Sequence, residues 1–425
     1  MPSPGSLLQL AAQGKQDVFL TGNPQISFYK VVYRRYTNFS IESCRMYFEG
    51  TPNFGQRITC LVPRFGDLLG QIFLDVTLPA LYQTTNGACD PETAIPISYV
   101  NSVGHALIEE ITLEIGEQEI DKQTGEFMEI WTQLSTPAGQ QDALNNMIGR
   151  VNNYTAPQLT GEQKIIVPLQ FWFCRNPGNY LPLLALQYHP VRINIKLRAL
   201  QGMAYTGSAA DACVPGVICP ASITSINMWG DYINLDKEER RRFVSTTHEY
   251  LIDQVQYTPR TAIPAATAQV NVKMDFNHPL RELIWVVQRD EMINLREYFN
   301  FSSLAITESG TCPRTDNIVD AKLQLDGQDR FEKRTAPYFR LVQPYQRHTS
   351  TPVLSFIYVY SFALRPEDTQ PSGSLNASRI DSMNLIFTMT DCIDPALGNC
   401  SAIIYGTNHN VLRVIDGFGG LLFKI

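Results

Sequence analysis

Residues 111–122 read ITLEIGEQEIDK, and residues 321–333 read AKLQLDGQDRFEK. In both, apolar and polar residues alternate up to a glycine that lies beside a glutamine and an acidic residue, and a short polar segment follows. This is the pattern of a strand, a tight turn and a return strand. A second pair keeps the same order along the chain. PLQFWFCRNPGNYLPLLALQYHPVRINIKL (168–197) and VYSFALRPEDTQPSGSLNASRIDSMNLIFTM (359–389) each run from an aromatic strand through an Arg and a Pro into a long loop and then an alternating strand. The separations are about 210 and about 190 residues. Two signals in the same order at similar spacing predict a duplicated β domain.

Working outward, β-type patterning covers most of the chain. Strands are expected at 41–48, 57–62, 71–78, 111–116, 169–174 and 191–197, then at 249–257, 269–276, 282–288, 321–327, 354–364, 383–389 and 410–415. In the segment 191–197, Val191, Ile193, Ile195 and Leu197 would face one way and Arg192, Asn194 and Lys196 the other, as in a half-buried strand. Many strands with few helices read as a sandwich or barrel. Two helices are expected. The segment 125–135 sets Phe127, Ile130, Trp131 and Leu134 at i, i+3, i+4 and i+7. The charged segment 235–245 opens with Asp236 and Glu239 in capping-box spacing. It follows a stretch rich in small residues at 201–222, so the boundary between halves is expected there. The expected divisions are an N-terminal arm (1–26), a first β domain (27–224), a linker with the charged helix (225–245) and a second β domain (246–425).

The chain has 425 residues, comfortable for two domains. Charged residues make up 18%, below the roughly 25% of an average soluble domain, which suggests that other copies of the chain cover much of the surface. A net charge of −7 makes a poor general binder of nucleic acid. No direct nucleic-acid partner is expected. The start lacks the basic and apolar regions of a secretory signal, and no apolar run approaches the length of a membrane-spanning helix. The nine cysteines, at 44, 60, 89, 174, 213, 219, 312, 392 and 400, show no CxxC spacing, so reduced, mostly buried thiols in a cytosolic setting are expected.

Motifs that carry chemistry are missing. GxSxG, HExxH, a P-loop and a dinucleotide fingerprint do not occur. His105, His189, His248, His278, His348 and His409 lack metal-ligand spacing and read as structural or surface residues. Glu109 and Glu110 would cap or precede a strand, and the Gly-rich run GFGG (417–420) follows a strand and reads as close backbone packing. No catalytic residues, cofactor or metal are expected. Sequons occur at Asn38, Asn153, Asn300, Asn376 and Asn399, and the last four are candidate glycosylation sites.

One stretch stands out. Residues 20–42, LTGNPQISFYKVVYRRYTNFSIE, crowd aromatic and basic side chains together on an otherwise acidic chain. Lys15, Lys30, Arg34, Arg35 and Arg45 face only Asp17 and Glu42 within residues 1–48. Such a face suits an anionic membrane or an acidic partner. The segment GNPQISFYKVVYRRYTNFSIE resembles the N-terminal signature of the major capsid proteins of large nucleocytoplasmic DNA viruses, of the phycodnavirus and iridovirus type. Further blocks fit that family in order: FGDLLGQIFLDVTLP (65–79), LPLLALQYHPVRINIKL (181–197), WGDYINLDKEERRRF (229–243), FNHPLRELIW (276–285), AKLQLDGQDRFEKR (321–334), YVYSFALRPEDTQPSGSLNASRID (358–381) and NVLRVIDGFGG (410–420). The pattern is most similar to the phycodnavirus branch, and the loops 84–97 and 203–222 depart from it.

The resemblance implies an all-β fold of two tandem eight-stranded antiparallel jelly-roll sandwiches, with short helices in loops and linker. It further implies a homotrimeric, pseudo-hexagonal capsomer that tiles the icosahedral outer shell of a large DNA virus, with no catalysis. Expected partners are the chain itself, neighbouring trimers, minor capsid proteins and the internal viral membrane; expected localisation is the virion, after assembly in the host cytoplasm. Base contacts are expected from Asn23, Pro24, Tyr29, Tyr33, Arg34, Arg35, Tyr36 and Phe39, the aromatics by burial and the arginines by charge. The competing readings are a minor capsid paralogue of the same particle, a jelly-roll carbohydrate-binding module and a β-sandwich hydrolase.

Overall fold

The computed structural model describes residues 3–84, 95–151, 161–205, 217–219, 222–265, 267–304, 314–390 and 399–424. Cys89, Cys213, Cys312, Cys392 and the expected glycosylation site Asn153 lie outside them, as does the side chain of Cys219. Two compact units are present: Met1–Asn38, and a body from Phe39 to Ile425. Residues 27–38, expected in the first β domain, therefore belong to the N-terminal unit.

Eight strands build the sandwich of the first half of the body, beside a small sheet of Leu81–Thr84, Ile95–Tyr99, Ala204–Tyr205 and Val217–Cys219. The eight are β1 (Phe39–Met46), β2 (Arg57–Leu61), β3 (Leu68–Leu78), β4 (Ile108–Ile115), β5 (Gln118–Thr124), β6 (Gln163–Pro168), β7 (Val191–Leu197) and β8 (Ser225–Leu235). One sheet has the order β1-β8-β3-β6 and the facing sheet β2-β7-β4-β5, the latter with a short edge strand at Phe48–Glu49, all antiparallel. The second half repeats this with β9 (His248–Tyr257), β10 (Gln269–Met274), β11 (Pro279–Arg289), β12 (Ile318–Leu325), β13 (Gln328–Asp329), β14 (Tyr358–Ser361), β15 (Met383–Met389) and β16 (Cys400–Ile415). Its sheets run β9-β16-β11-β14 and β10-β15-β12-β13. Adding eight to each strand number of the first half gives the second. The duplication read from the two sequence pairs is thus a duplication of topology, that of the jelly roll.

Local chemistry explains the repeated hairpins. Between β4 and β5 the turn residues Gly116 and Glu117 both have positive φ, and between β12 and β13 Asp326 and Gly327 do the same. Two central residues of this kind mark the two-residue turn whose twist matches that of the flanking strands. A third such turn, Asp416-Gly417, joins β16 to β17 (Phe418–Leu421). A Cβ on Gly419 would lie 2.4 Å from a methyl of Leu186, so the GFGG run is held for close packing of the C-terminal hairpin against the first sandwich.

The structure corrects the sequence reading in two places. Residues 225–235 are not a linker: β8 is laddered to β1 and β3 on its two edges, and Ile226, Met228, Gly230 and Tyr232 are buried in strict alternation. The linker is reduced to the helix Lys237–Ser245, capped by Asp236. The segment 169–174 is not a strand. Phe171, Trp172, Phe173 and Cys174 are all buried, and Trp172–Arg175 coils into a helical turn, with the Cys174 amide donating to the Phe171 carbonyl at 3.0 Å.

The expected helix at 125–135 is present as α1 (Gly125–Ser135), with the Thr124 hydroxyl accepting a hydrogen bond from the Phe127 amide. It is followed by α2 (Ala138–Ile148). Phe127, Ile130, Trp131 and Leu134 pack against Ile284, Val286, Val359, Ile403 and Tyr405 on the outer face of the second sandwich. This is why β11 is buried on both faces: Leu283, Trp285 and Val287 fill its own core, and Ile284 and Val286 receive the helix.

On the outer face of the second sandwich, beside α1, the fully buried His348 ring lies 3.0 Å from Glu282 and 2.8 Å from Glu367. Burial opposes its charge, but the two carboxylates outweigh burial and raise its pKa to about 9. Because the folded-state value is raised, its stabilisation is complete below the unfolded value near 6.5 and is lost as pH climbs through 9. Raising pH from 6.5 to 9.5 is expected to remove on the order of 3 kcal/mol through this group. Thermal melts would show a downward slope over that range that His348→Gln, less stable at the start, flattens. Trp131→Ala is expected to cost about 3–5 kcal/mol by denaturant unfolding, because it hollows the junction between the sandwiches.

Candidate assembly surfaces

The N-terminal unit is short on structure of its own. Ser3 caps a helix at Pro4–Ala11, accepting a hydrogen bond from the Ser6 amide, and a single helical turn follows at Val18–Thr21. Asn23 takes a positive φ just before Pro24. Residues 31–38 form no regular structure, although Val31, Val32, Tyr33 and Tyr36 are strand formers. Tyr29 is 99% exposed, Tyr33 80% and Tyr36 83%. Arg34 and Arg35 are exposed as well. Within this unit, Asn23, Pro24, Tyr29, Tyr33, Arg34, Arg35 and Tyr36 are exposed and form no folded pocket. Phe39 belongs to the body: it opens β1, pairs with Leu235 and remains 53% exposed.

Within the body the two sandwiches run in the same direction. The connections β1–β2, β3–β4, β5–β6 and β7–β8 leave one end of the first sandwich, as the registers of β1, β8 and β3 require, and their counterparts leave the same end of the second. This end carries the longer connections. The opposite end carries tight turns, the β6–β7 connection and Phe39. Alignment is enforced at both ends of the seam. Near the turns, the Tyr188 amide donates to the Gly417 carbonyl at 3.0 Å and the Tyr188 and Phe418 rings meet at 5.0 Å. Near the long connections, Arg260 binds Glu126 at 2.7 Å.

The middle of the seam is polar. Asp253 on β9 lies 3.2 Å from Arg281, 3.3 Å from His409 and 3.8 Å from Arg175, which itself covers the Trp131 ring. Burial opposes the Asp253 charge, yet Arg281 and the other cations hold its carboxyl below the usual range. Asp121 on β5 accepts the Val255 amide, and burial pushes its pKa up to about 6. Beside α1, Glu129 lies 2.7 Å from His105 and pairs with Arg150; burial resists its charge, but Arg150 and His105 hold it well below the usual carboxylate range. In the Asp253 and Glu129 clusters charge is compensated inside the fold. All six histidines lie among the described residues, and no set of three metal-ligating side chains converges among those residues. Glu109 and Glu110 sit within β4 and pair with Lys196 and Lys122.

The glycosylation candidates differ in access. The Asn300 amide nitrogen donates to Glu297 at 2.7 Å and to the Leu304 carbonyl, so a sugar there would displace both bonds. Asn376 and Asn399 are exposed. The exposed apolar residues Tyr188, Tyr345, Leu364 and Phe418 escaped the sequence reading. Tyr188 and Phe418 sit inside quoted family blocks, but only the fold shows that they face outward together.

Residues 27–236 match the family model described as the major capsid protein N-terminus, and residues 239–420 match that of the large eukaryotic DNA virus major capsid protein. The major capsid protein of Pyramimonas orientalis virus is 41% identical, with 99% of each chain covered. That of Paramecium bursaria Chlorella virus 1 is 39% identical with the same coverage. In three dimensions the chain matches the PBCV-1 virus capsid at a TM-score of 0.77 and 33% identity, over 94% of this chain and 100% of that one. With both sandwiches matched in order, the chain belongs to the major capsid proteins of large eukaryotic DNA viruses, structural shell proteins and not enzymes.

Proposed function

We propose that three copies of this chain form a pseudo-hexagonal capsomer and that these capsomers tile the icosahedral outer shell of the virion. The observation that carries this reading is the pair of sandwiches with one strand order, side by side and pointing the same way. Three such pairs around an axis present six equivalent pillars, and hexagons tile a surface. Obligate trimers of this kind need interfaces above roughly 2,000 Å². The low charged share and the exposed apolar residues supply suitable surface. The end bearing the long connections faces outward, where sequence change leaves the sheets intact.

The N-terminal arm faces inward in this reading. Tyr29, Tyr33, Tyr36 and Phe39 anchor by burial and Arg34 and Arg35 by charge, with Asn23 and Pro24 setting the turn that presents them. Their partners are a neighbouring subunit, a minor capsid protein or the internal membrane. Assembly takes place in the host cytoplasm. Asn376 and Asn399 accept glycans where the host machinery reaches them. Size-exclusion chromatography with light scattering is expected to give three times the 47.9 kDa chain mass; a stable monomer would overturn the capsomer. Removing residues 1–38, or reversing charge with Arg34→Glu and Arg35→Glu, is expected to leave trimers intact and to reduce shell formation at least about tenfold, counted by electron microscopy. Shell yield equal to the unaltered chain would remove the arm from assembly.

A further inference from the structure

We infer that the open cleft between α2 and the segment Thr351–Ser355 is a carbohydrate-binding site for a neutral, hexose-containing glycan. The cleft encloses about 670 Å³ and lies among connections at the long-loop end, with one wall from each sandwich. That is a volume typical of small-ligand sites.

The two walls differ in chemistry. On α2, Gln141 with Asn145 and Asp142 with Asn146 form two i, i+4 pairs that line the cleft, while Leu144 and Ile148 pack inward. Across from them, Val353 and Leu354 present exposed apolar side chains. A pyranose has the complementary character: a rim of hydroxyls that both donate and accept, and ring faces of C–H groups. Side-chain amides offer both donors and acceptors to such a rim.

Gln133 adds an unmet hydrogen-bond acceptor to the cleft wall. It lines the cleft and is only 3% exposed. Its Nε2 donates to Glu129 at 2.8 Å, and an ionised carboxylate only accepts, so the amide is fixed with its Oε1 turned away from that bond. That Oε1 is buried and has no hydrogen-bond partner. A buried acceptor left unmet is costly, and a small shift of this cleft-lining side chain would bring it to a ligand hydroxyl. Charge selects against acidic ligands. Asp142 is exposed at the cleft, and Arg150, the one cation lining it among the described residues, is committed to Glu129 and to the Asn145 side chain at 3.1 Å.

Sugar binding here goes beyond the shell reading; only its use toward a host surface rests on the outward orientation. The test is binding of the purified full chain to a printed array of neutral hexose oligosaccharides, with sialylated and sulfated members included. Neutral glycans are expected to bind. Asp142→Ala combined with Asn146→Ala, both at exposed positions, is expected to weaken binding at least about tenfold at unchanged Tm, since each removes hydrogen bonds to the ligand. Lys273→Ala, on the remote β10, is expected to bind as the unaltered chain does. Absence of neutral-glycan binding, binding confined to acidic glycans, or binding that survives the double substitution would each overturn the site. Light scattering on the same sample reports the trimer separately, so an intact trimer without sugar binding overturns the cleft alone.

Discussion

The packing of α1 across the outer face of the second sandwich is the contact on which the rest of the body depends. A jelly roll needs only its own two sheets to bury a core, and each half of this chain has one. What it does not need is a fixed angle to a second jelly roll. Phe127, Ile130, Trp131 and Leu134 supply that angle by converting the solvent face of β11 and β16 into a third core. The Asp253 cluster and the docked C-terminal hairpin then remove the freedom to slide or twist. Buried charges of this sort are poor sources of net stability, but they tolerate few alternative arrangements.

Rigidity of the pair matters because a tile has to present repeatable edges. Two sandwiches joined only by a linker would sample many angles, and an interface formed with one angle would be lost at another. Here the short helix Lys237–Ser245 covers the step from β8 to β9, and the seam, not the linker, sets the geometry. The direction of the strands follows from the same seam. With both halves parallel, long connections collect at one end and tight turns at the other.

Much of this was legible in sequence. The paired strand–turn–strand signals at 111–122 and 321–333 became equivalent hairpins, because positive-φ turns favour glycine and each turn carries one, Gly116 and Gly327. The stripe of α1 was visible for the same reason: it is a local period. The misread places lacked a local signature. The strand β8 alternates, but it follows a stretch rich in small residues and runs into a charged helix, and those neighbours suggested a linker. The aromatic run at 169–174 looked like a strand because β-propensity describes side chains that fit a half-buried surface, whereas these four consecutive residues are all enclosed. The crowding of aromatic and basic residues from Tyr29 to Tyr36 was visible in composition. The pairing of Tyr188 with Phe418, some 230 residues apart, was not.

The sequence by itself determined the fold class, the duplication and the family, since periodicity, turn residues and ordered motifs are written locally along the chain. Tertiary structure alone decided that the two halves share a third core, that they point the same way, and which polar groups are left facing a cleft. The physical reason is that burial, charge compensation and an unmet hydrogen bond are properties of neighbours in space. The cleft that Gln133 and Val353 line is built from both halves of the chain, and no local pattern records it.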